Sequence, residues 1–370
     1  MSAIPPSGLP GRDLPGWRFW IDRGGTFTDL VALSPSGITT VRKLLSHPAQ
    51  SCAGSGPGCA SVGLDPAVVA IRGLLNLTAE QPIPAGLIAE VRVGTTVATN
   101  ALLERRGAPT LLLLSRGFGD ALRIGDQHRP DLFALKIRRP EPLHARALEV
   151  TGRLAADGHE LEPLLLDAPL AAALAQARAD GLRSCAVALL HAARHPRHEQ
   201  QLGAWLERFG FEQVALSHAV APRPRLIARA QTAVVEAYVG PALQAYLAGL
   251  RRALGAGTPL QVMQSSGGLL APELIRAKDT ILSGPAGGMV GALKAAAGAA
   301  RAGEPGAGAL CAGAIVGFDM GGTSTDVFHV AAKEPPPSGP PHEAAGERWE
   351  RSDSAVVAGL QLEAAMLPIH

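Results

Sequence analysis

The hydrophobic and polar positions change period along the chain, and the changes mark out an alternating α/β arrangement. Arg18 to Ile21, Leu30 to Leu33 and Ile38 to Leu44 are short alternating runs. They read as the strands of a hairpin meander whose tip is Gly24-Gly25. Ala67 to Leu75 has helical spacing, Ala89 to Val93 reads as a strand, and Thr95 to Arg105 as the helix that follows it. Thr110 to Ser115 is a continuous apolar run, as a strand covered on both faces would be. Leu170 to Ala179 and His198 to Phe209 read as helices alternating with strands Ser184 to Leu190 and Gln213 to Leu216, with Pro196 suited to a helix start. Leu226 to Leu254 is helical in period, interrupted at Gly240-Pro241, so it is expected as one kinked helix or two abutting ones. Leu260 to Gln264 reads as a strand and Gly284 to Ala300 as a helix rich in Gly and Ala. Ala314 to Asp319 and Val327 to Ala331 read as a second strand pair. Strands alternating with helices imply an α/β sheet protein.

Bulk properties change this picture little. The 370 residues are 47% hydrophobic and 18% charged, which supports a sizeable core. Aromatics are only 4%, so that core is built from Leu, Val, Ile and Ala. A net charge of +2 gives no reason to expect a nucleic-acid or membrane partner. Residues 1 to 16 are Pro- and Gly-rich and read as a disordered tail without the features of a signal peptide. No apolar run reaches the length of a membrane span, and the expected location is the cytoplasm. The four cysteines form no C-x-x-C pair. His191, His195 and His198 bracket a strand-to-helix loop and read as a surface loop, not a metal site.

The chemistry concentrates in one octet that occurs twice. Asp22-Arg23-Gly24-Gly25-Thr26-Phe27-Thr28-Asp29 and Asp319-Met320-Gly321-Gly322-Thr323-Ser324-Thr325-Asp326 agree at six of eight positions. Two glycines let the backbone approach an anion closely, and the exposed N–H groups of such a turn form a concave anion site. Gly24, Gly25, Thr26, Thr28 and Asp29 are the candidate phosphate grip of the first copy. Gly321, Gly322, Thr323, Ser324 and Asp326 are that of the second. Aspartates beside a phosphate imply an intervening cation, so Asp22 and Asp319 are the candidate catalytic pair, holding Mg²⁺ through water. Neither a G-x-x-x-x-G-K-[ST] nor a G-x-G-x-x-G after a strand is present.

Paired turns of this kind resemble those of the actin, Hsp70 and sugar-kinase superfamily. That resemblance implies a two-lobed ATPase fold with ATP and Mg²⁺ between the turns, and a connecting helix where Leu282 to Ala292 stands. Longer motifs resemble the hydantoinase A and 5-oxoprolinase family: Phe19 to Val31, Val93 to Arg105, Arg116 to Asp120, Arg129 to Phe133, Met263 to Gly268 and Phe318 to Val327. Arg23, and Leu226 to Pro241 with its Arg-x-x-Thr-x-Val-Val-x-Ala-Tyr, resemble the oxoprolinases within it. The family implies ATP-dependent hydrolysis of 5-oxo-L-proline to L-glutamate, the lactam oxygen being phosphorylated so that water can displace it. Two other readings stay open: an ATP-dependent hydantoinase or the ATPase subunit of a ketone carboxylase, and an inactive or non-enzymatic nucleotide-binding remnant.

Tentative substrate residues are Thr95, Thr96, Asn100 and Arg123. For the first three, capping of the following helix is an equal reading; Arg123 could fork onto a carboxylate. Residues 17–225 are expected to form the first lobe and 226–370 the start of a truncated second lobe. In the family, a Gly-rich motif and the adenosine-holding part follow the point reached at His370. The chain alone is therefore expected to bind ATP weakly and to turn over no lactam. Expected cofactors are ATP, Mg²⁺ and a monovalent cation. Expected partners are 5-oxo-L-proline or a related cyclic amide and a hydantoinase B-like subunit or domain. The complete protein is expected to be a homo-oligomer.

Overall fold

The structure, a computed structural model, describes residues 16–46, 64–125, 133, 135–136, 141–301, 315–320, 325–330 and 355–366. Strands β1 (Trp17–Arg23), β2 (Phe27–Leu33) and β3 (Thr39–Leu45) form the expected antiparallel meander. Their period-2 alternation sends Phe19, Ile21, Leu30 and Ala32 to one face. Helix α1 (Pro66–Leu74) covers that face with Ala67, Val68 and Ile71. Asp65 starts α1 by accepting from the Ala67 amide, with Pro66 in the first turn, where its missing N–H costs nothing. Strand β4 (Ile88–Thr95) then runs parallel to β1 and leads into α2 (Val97–Leu103).

A second sheet follows. Its strands are β5 (Thr110–Ser115), followed by the single-turn α3 (Ala121–Ile124); β6 (His144–Val150), followed by the small hairpin β7 (Arg153–Leu154) and β8 (Glu160–Glu162); and, after α4 (Ala168–Ala179), β9 (Ser184–Ala188). Helix α5 (Arg197–Arg208) then leads to β10 (Gln213–Leu216) and α6 (Ser217–Val220). The order β10-β9-β5-β6 is parallel throughout. Leu111 and Leu113 face α4 and α5, while Leu112 and Leu114 face the opposite core, so the all-apolar run of β5 is explained by burial on both faces.

Helix α7 (Leu226–Leu254) is one continuous 29-residue helix through Pro241. Residues 228–240 of it, apart from the half-buried Gln231, are buried between the sheets, and the remainder is amphipathic, with Leu243, Leu247, Leu250 and Leu254 inward. Strands β11 (Leu260–Met263) and β12 (Leu269–Leu270) then complete a six-stranded sheet, β12-β11-β4-β1-β2-β3. Residues beyond 226 therefore build part of the first sheet, and the expected lobe division at 225/226 does not coincide with any break in it. A turn of 3₁₀ helix, Ala277–Thr280, leads into α8 (Ser283–Arg301) and the second hairpin, β13 (Ile315–Met320) with β14 (Thr325–Val330). Phe328 packs on Ala286, Met289 and Leu293 of α8. A last hairpin, β15 (Ala355–Val357) and β16 (Leu360–Leu362), rests on α7. No helix among the described residues is long and apolar enough to cross a membrane.

A buried charge pair ties α7 to α5. Glu199 and Arg229 are both 0% exposed and 3.2 Å apart. Glu199 also accepts from the amides of Leu189 (2.8 Å) and His218 (2.9 Å) and from Ser217, while Arg229 donates to the Leu189 carbonyl at 2.7 Å. Removing one partner strands a desolvated charge. Arg229→Ala is expected to cost about 3–5 kcal/mol in chemical denaturation; a loss below about 1 kcal/mol would show that the network does not secure the helix.

Candidate active site

The carboxyl ends of three parallel strands, β1, β4 and β11, converge beside the first glycine turn, the position where open α/β sheets bind ligands. The turn itself is closed by the Gly24 amide donating to the Phe27 carbonyl at 2.9 Å. Ser46 braces it from below. Its hydroxyl donates to the Gly24 carbonyl (2.7 Å) and meets the Thr28 hydroxyl (2.9 Å), and its amide donates to the Thr26 carbonyl. Thr28 is fully buried. Its hydroxyl ties the turn to the end of β3. Gly24, Gly25 and Thr26 remain at the open lip, with Thr26 exposed. Arg23 points away from the lip, with its Nε 3.2 Å from Asp65 in an ion pair not aligned as a hydrogen bond, and its guanidinium over the Tyr246 ring.

The start of α2 is docked against the same turn. Thr96 donates both its amide (3.0 Å) and its hydroxyl (3.1 Å) to the Arg23 carbonyl, and the Asn100 side-chain amide donates to the Thr96 hydroxyl at 3.2 Å. A Cβ on Gly25 would stand 3.2 Å from Asn100 Nδ2, so glycine there allows the approach. Thr95 is fully buried and its hydroxyl accepts from the Val97 amide. That is a helix-start contact. Arg123 stands in α3, which packs on α7 beyond the carboxyl end of β5, a strand of the other sheet. The structure thus groups Thr96 and Asn100 with the turn. His198 pairs with Glu160 at 2.6 Å and His195 contacts the Ala156 carbonyl at 3.1 Å. Among the described residues no His, Cys, Asp and Glu cluster could hold a metal by itself.

Register places Lys43, Asp29, Asp22 and Gly94 as successive cross-strand partners. Lys43 pairs with Asp29 at 3.0 Å. Asp22 keeps contact with solvent, yet Gly94, Gly284 and Asp29 stand close around it. Burial, then the like charges of Asp29 and Asp319, push its carboxyl above the ordinary aspartate range. The last of these causes is informative, because it brings Asp319 of the second hairpin within electrostatic reach of Asp22.

Helix α8 joins the two carboxylates. Ser283 anchors its first turn by donating to the Thr95 carbonyl at 3.1 Å. Leu282, with φ +70°, turns the chain into the helix. Gly284, Gly287, Gly288 and Gly291 then share one face, opposite Ala286, Met289 and Leu293. A Cβ on Gly284 would lie 3.9 Å from Asp22 Oδ1, and one on Gly288 would lie 2.8 Å from Asp319 Oδ2. One side-chain-free helix face therefore contacts both aspartates. Gly321, Gly322, Thr323 and Ser324 lie outside the described residues, as does the side chain of Asp326. Ser46, Gly94, Ser283 and Gly288 complete the site and were not among the expected residues. The two octets say nothing about them.

The family description "Hydantoinase/oxoprolinase N-terminal region" matches residues 18–210, and "Hydantoinase/oxoprolinase" matches residues 229–338. The chain belongs to the hydantoinase/oxoprolinase family. Among its relatives, 5-oxoprolinase 1 of Arabidopsis thaliana is 36% identical over 84% of this chain and 25% of its own length. Caprolactamase subunit alpha of Pseudomonas jessenii is 33% identical over 84% of this chain and 43% of its own length. The chain thus spans a quarter to under half of these relatives. The crystal structure of the ATP-dependent caprolactamase from Pseudomonas jessenii matches with TM-score 0.66 and 29% identity, over 95% of this chain and 47% of that one. A nucleotide-free acetone carboxylase structure shares the fold with TM-score 0.70 and 23% identity, with the same coverage. The α/β ATPase-like fold expected from the paired turns agrees with both.

Proposed function

We propose that this chain is the ATP-using part of an ATP-dependent 5-oxoprolinase, which opens 5-oxo-L-proline to L-glutamate. The observation that carries this reading is the approach of Asp22 and Asp319, from separate hairpins, to one glycine face of α8. Two carboxylates, of which Asp22 has its proton affinity raised by burial and by the charges of Asp29 and Asp319, beside a helix surface with no side chains, fit a hydrated Mg²⁺ accompanying a nucleotide's phosphates. ATP would supply the phosphoryl group that turns the inert amide oxygen into a leaving group. The chain's own part is electrostatic. Asp22 and Asp319 would hold the cation through water, the amides of Gly25 and Thr26 and of the α8 start would face the phosphates, and Asn100 would steady the turn.

Support for the substrate comes from relatives called 5-oxoprolinase, and for a cyclic amide in general from the caprolactamase. A further subunit or domain, hydantoinase B-like, would complete the enzyme; the name "subunit alpha" of one relative agrees with this. The test is ATP hydrolysis by the complete enzyme with 5-oxoproline, hydantoin, caprolactam or acetone. Stimulation by 5-oxoproline above the others is the expected result. Stimulation only by one of the others, or by none, would overturn the assignment.

A further inference from the structure

The row that holds Asp22 continues across the sheet to a residue with no charge. Val262 of β11 partners Val93 of β4, so the next residue, Met263, runs beside Gly94, whose other neighbour is Asp22. Asp22, Gly94 and Met263 therefore stand on one face, in that order. Gly94 leaves the middle of the row open. A Cβ there would meet only Asp22 Oδ1 at 3.5 Å and the Ile21 carbonyl at 3.9 Å.

Met263 is half-buried and extends beneath α8, its Cε 3.8 Å from where a Cβ on Gly287 would stand. The loop behind it is pinned to the entry of α8. The Ser265 amide donates to the Asp279 carbonyl at 2.7 Å and its hydroxyl to the Asp279 and Ile281 carbonyls. Gly94 is thus flanked by a carboxylate on one side and a thioether on the other, with the glycine face of α8 above. A cyclic amide has matching ends: a polar carbonyl and nitrogen, and an arc of methylenes. With the polar end on the Asp22 side, the methylenes meet Met263.

We infer that Met263 is a specificity-determining residue that limits the ring size of the cyclic amide, an inference that rests on the reading above. Its thioether fills the volume that a larger ring would need. One methylene against an apolar wall is worth about 10–200-fold in discrimination. The experiment measures kcat and KM for ATP-dependent hydrolysis of five-, six- and seven-membered lactams by the complete enzyme. It compares wild type with Met263→Ala and with Met263→Val, a shorter side chain well suited to a strand.

Met263→Ala is expected to raise the seven- to five-membered ratio of kcat/KM by about tenfold or more, mainly through a lower KM for the large ring. Met263→Val moves the ratio in the same direction and carries the test if the alanine variant is unstable. A merely structural methionine would depress kcat on every lactam and lower Tm while leaving the ratio unchanged. A ratio within about twofold of wild type in the folded variant, far short of the expected change of about tenfold or more, overturns the inference but not the lactamase reading. Absence of lactam hydrolysis in wild type overturns both.

Discussion

Asp22→Asn lowers ATP-dependent turnover of the complete enzyme by about 10²–10³-fold, the loss typical when one preorganised electrostatic group is removed from a transition state. The same change leaves the ligand-free fold at least as stable as wild type. Burial and the charges of Asp29 and Asp319 raise the Asp22 pKa, so folding favours its protonated form. The sign follows from linkage. A carboxyl with a raised folded-state pKa costs stability as pH rises from its unfolded pKa through its folded one, and the cost persists above that. Asparagine has no such titration. The Tm difference between variant and wild type should be near zero at the acid end of the aspartate range and positive at neutral pH. A variant that loses Tm at neutral pH, or that retains turnover, would show that Asp22 is a structural residue. Mg²⁺ with nucleotide should raise the Tm of wild type more than that of the variant, because the cation relieves repulsion present only in wild type.

Much of this site was legible because its chemistry sits in two contiguous octets, and the fold class because β5 and its neighbours alternate cleanly with helices. Two of the expected donors are buried for a reason that was itself in the sequence. Thr28 shares its strand face with Leu30 and Ala32, and Thr95 shares its face with Val91 and Val93, so period-2 phase alone turns both hydroxyls inward. The remaining gaps are non-local. Nothing near Leu260 announces that β11 will pair with β4, more than 160 residues earlier, and so the first sheet extends past the expected lobe division. β6 escaped notice as a half-exposed edge strand, with only Val150 fully inside. The Gly- and Ala-rich helix α8 was legible as a helix, but what its glycine face packs against depends on the distant turns.

That surface allows a prediction with an internal control, because its glycines differ in what stands before them. Gly291 has open space where a Cβ would go, Gly284 has only ordinary contacts at 3.8 and 3.9 Å, and Gly288 has Asp319 Oδ2 at 2.8 Å. Alanine in a helix interior is favoured over glycine by up to about 1 kcal/mol. Gly291→Ala is therefore expected to raise stability by about 0.5–1 kcal/mol with activity intact, and Gly284→Ala to be near neutral in activity. At Gly288 the obstructing atom is the end of a side chain, so the fold can yield by swinging the carboxylate aside. Gly288→Ala should keep its Tm while displacing Asp319 from the position facing Asp22. A displacement near 1 Å at a positioned group costs about 10²-fold, and the loss should appear in ATP turnover and in the Mg²⁺ concentration needed to support it. Comparable activity in the Gly288 and Gly291 variants would mean that Asp319 is not held against α8 during turnover, and the site would have to be rebuilt around Asp22 alone.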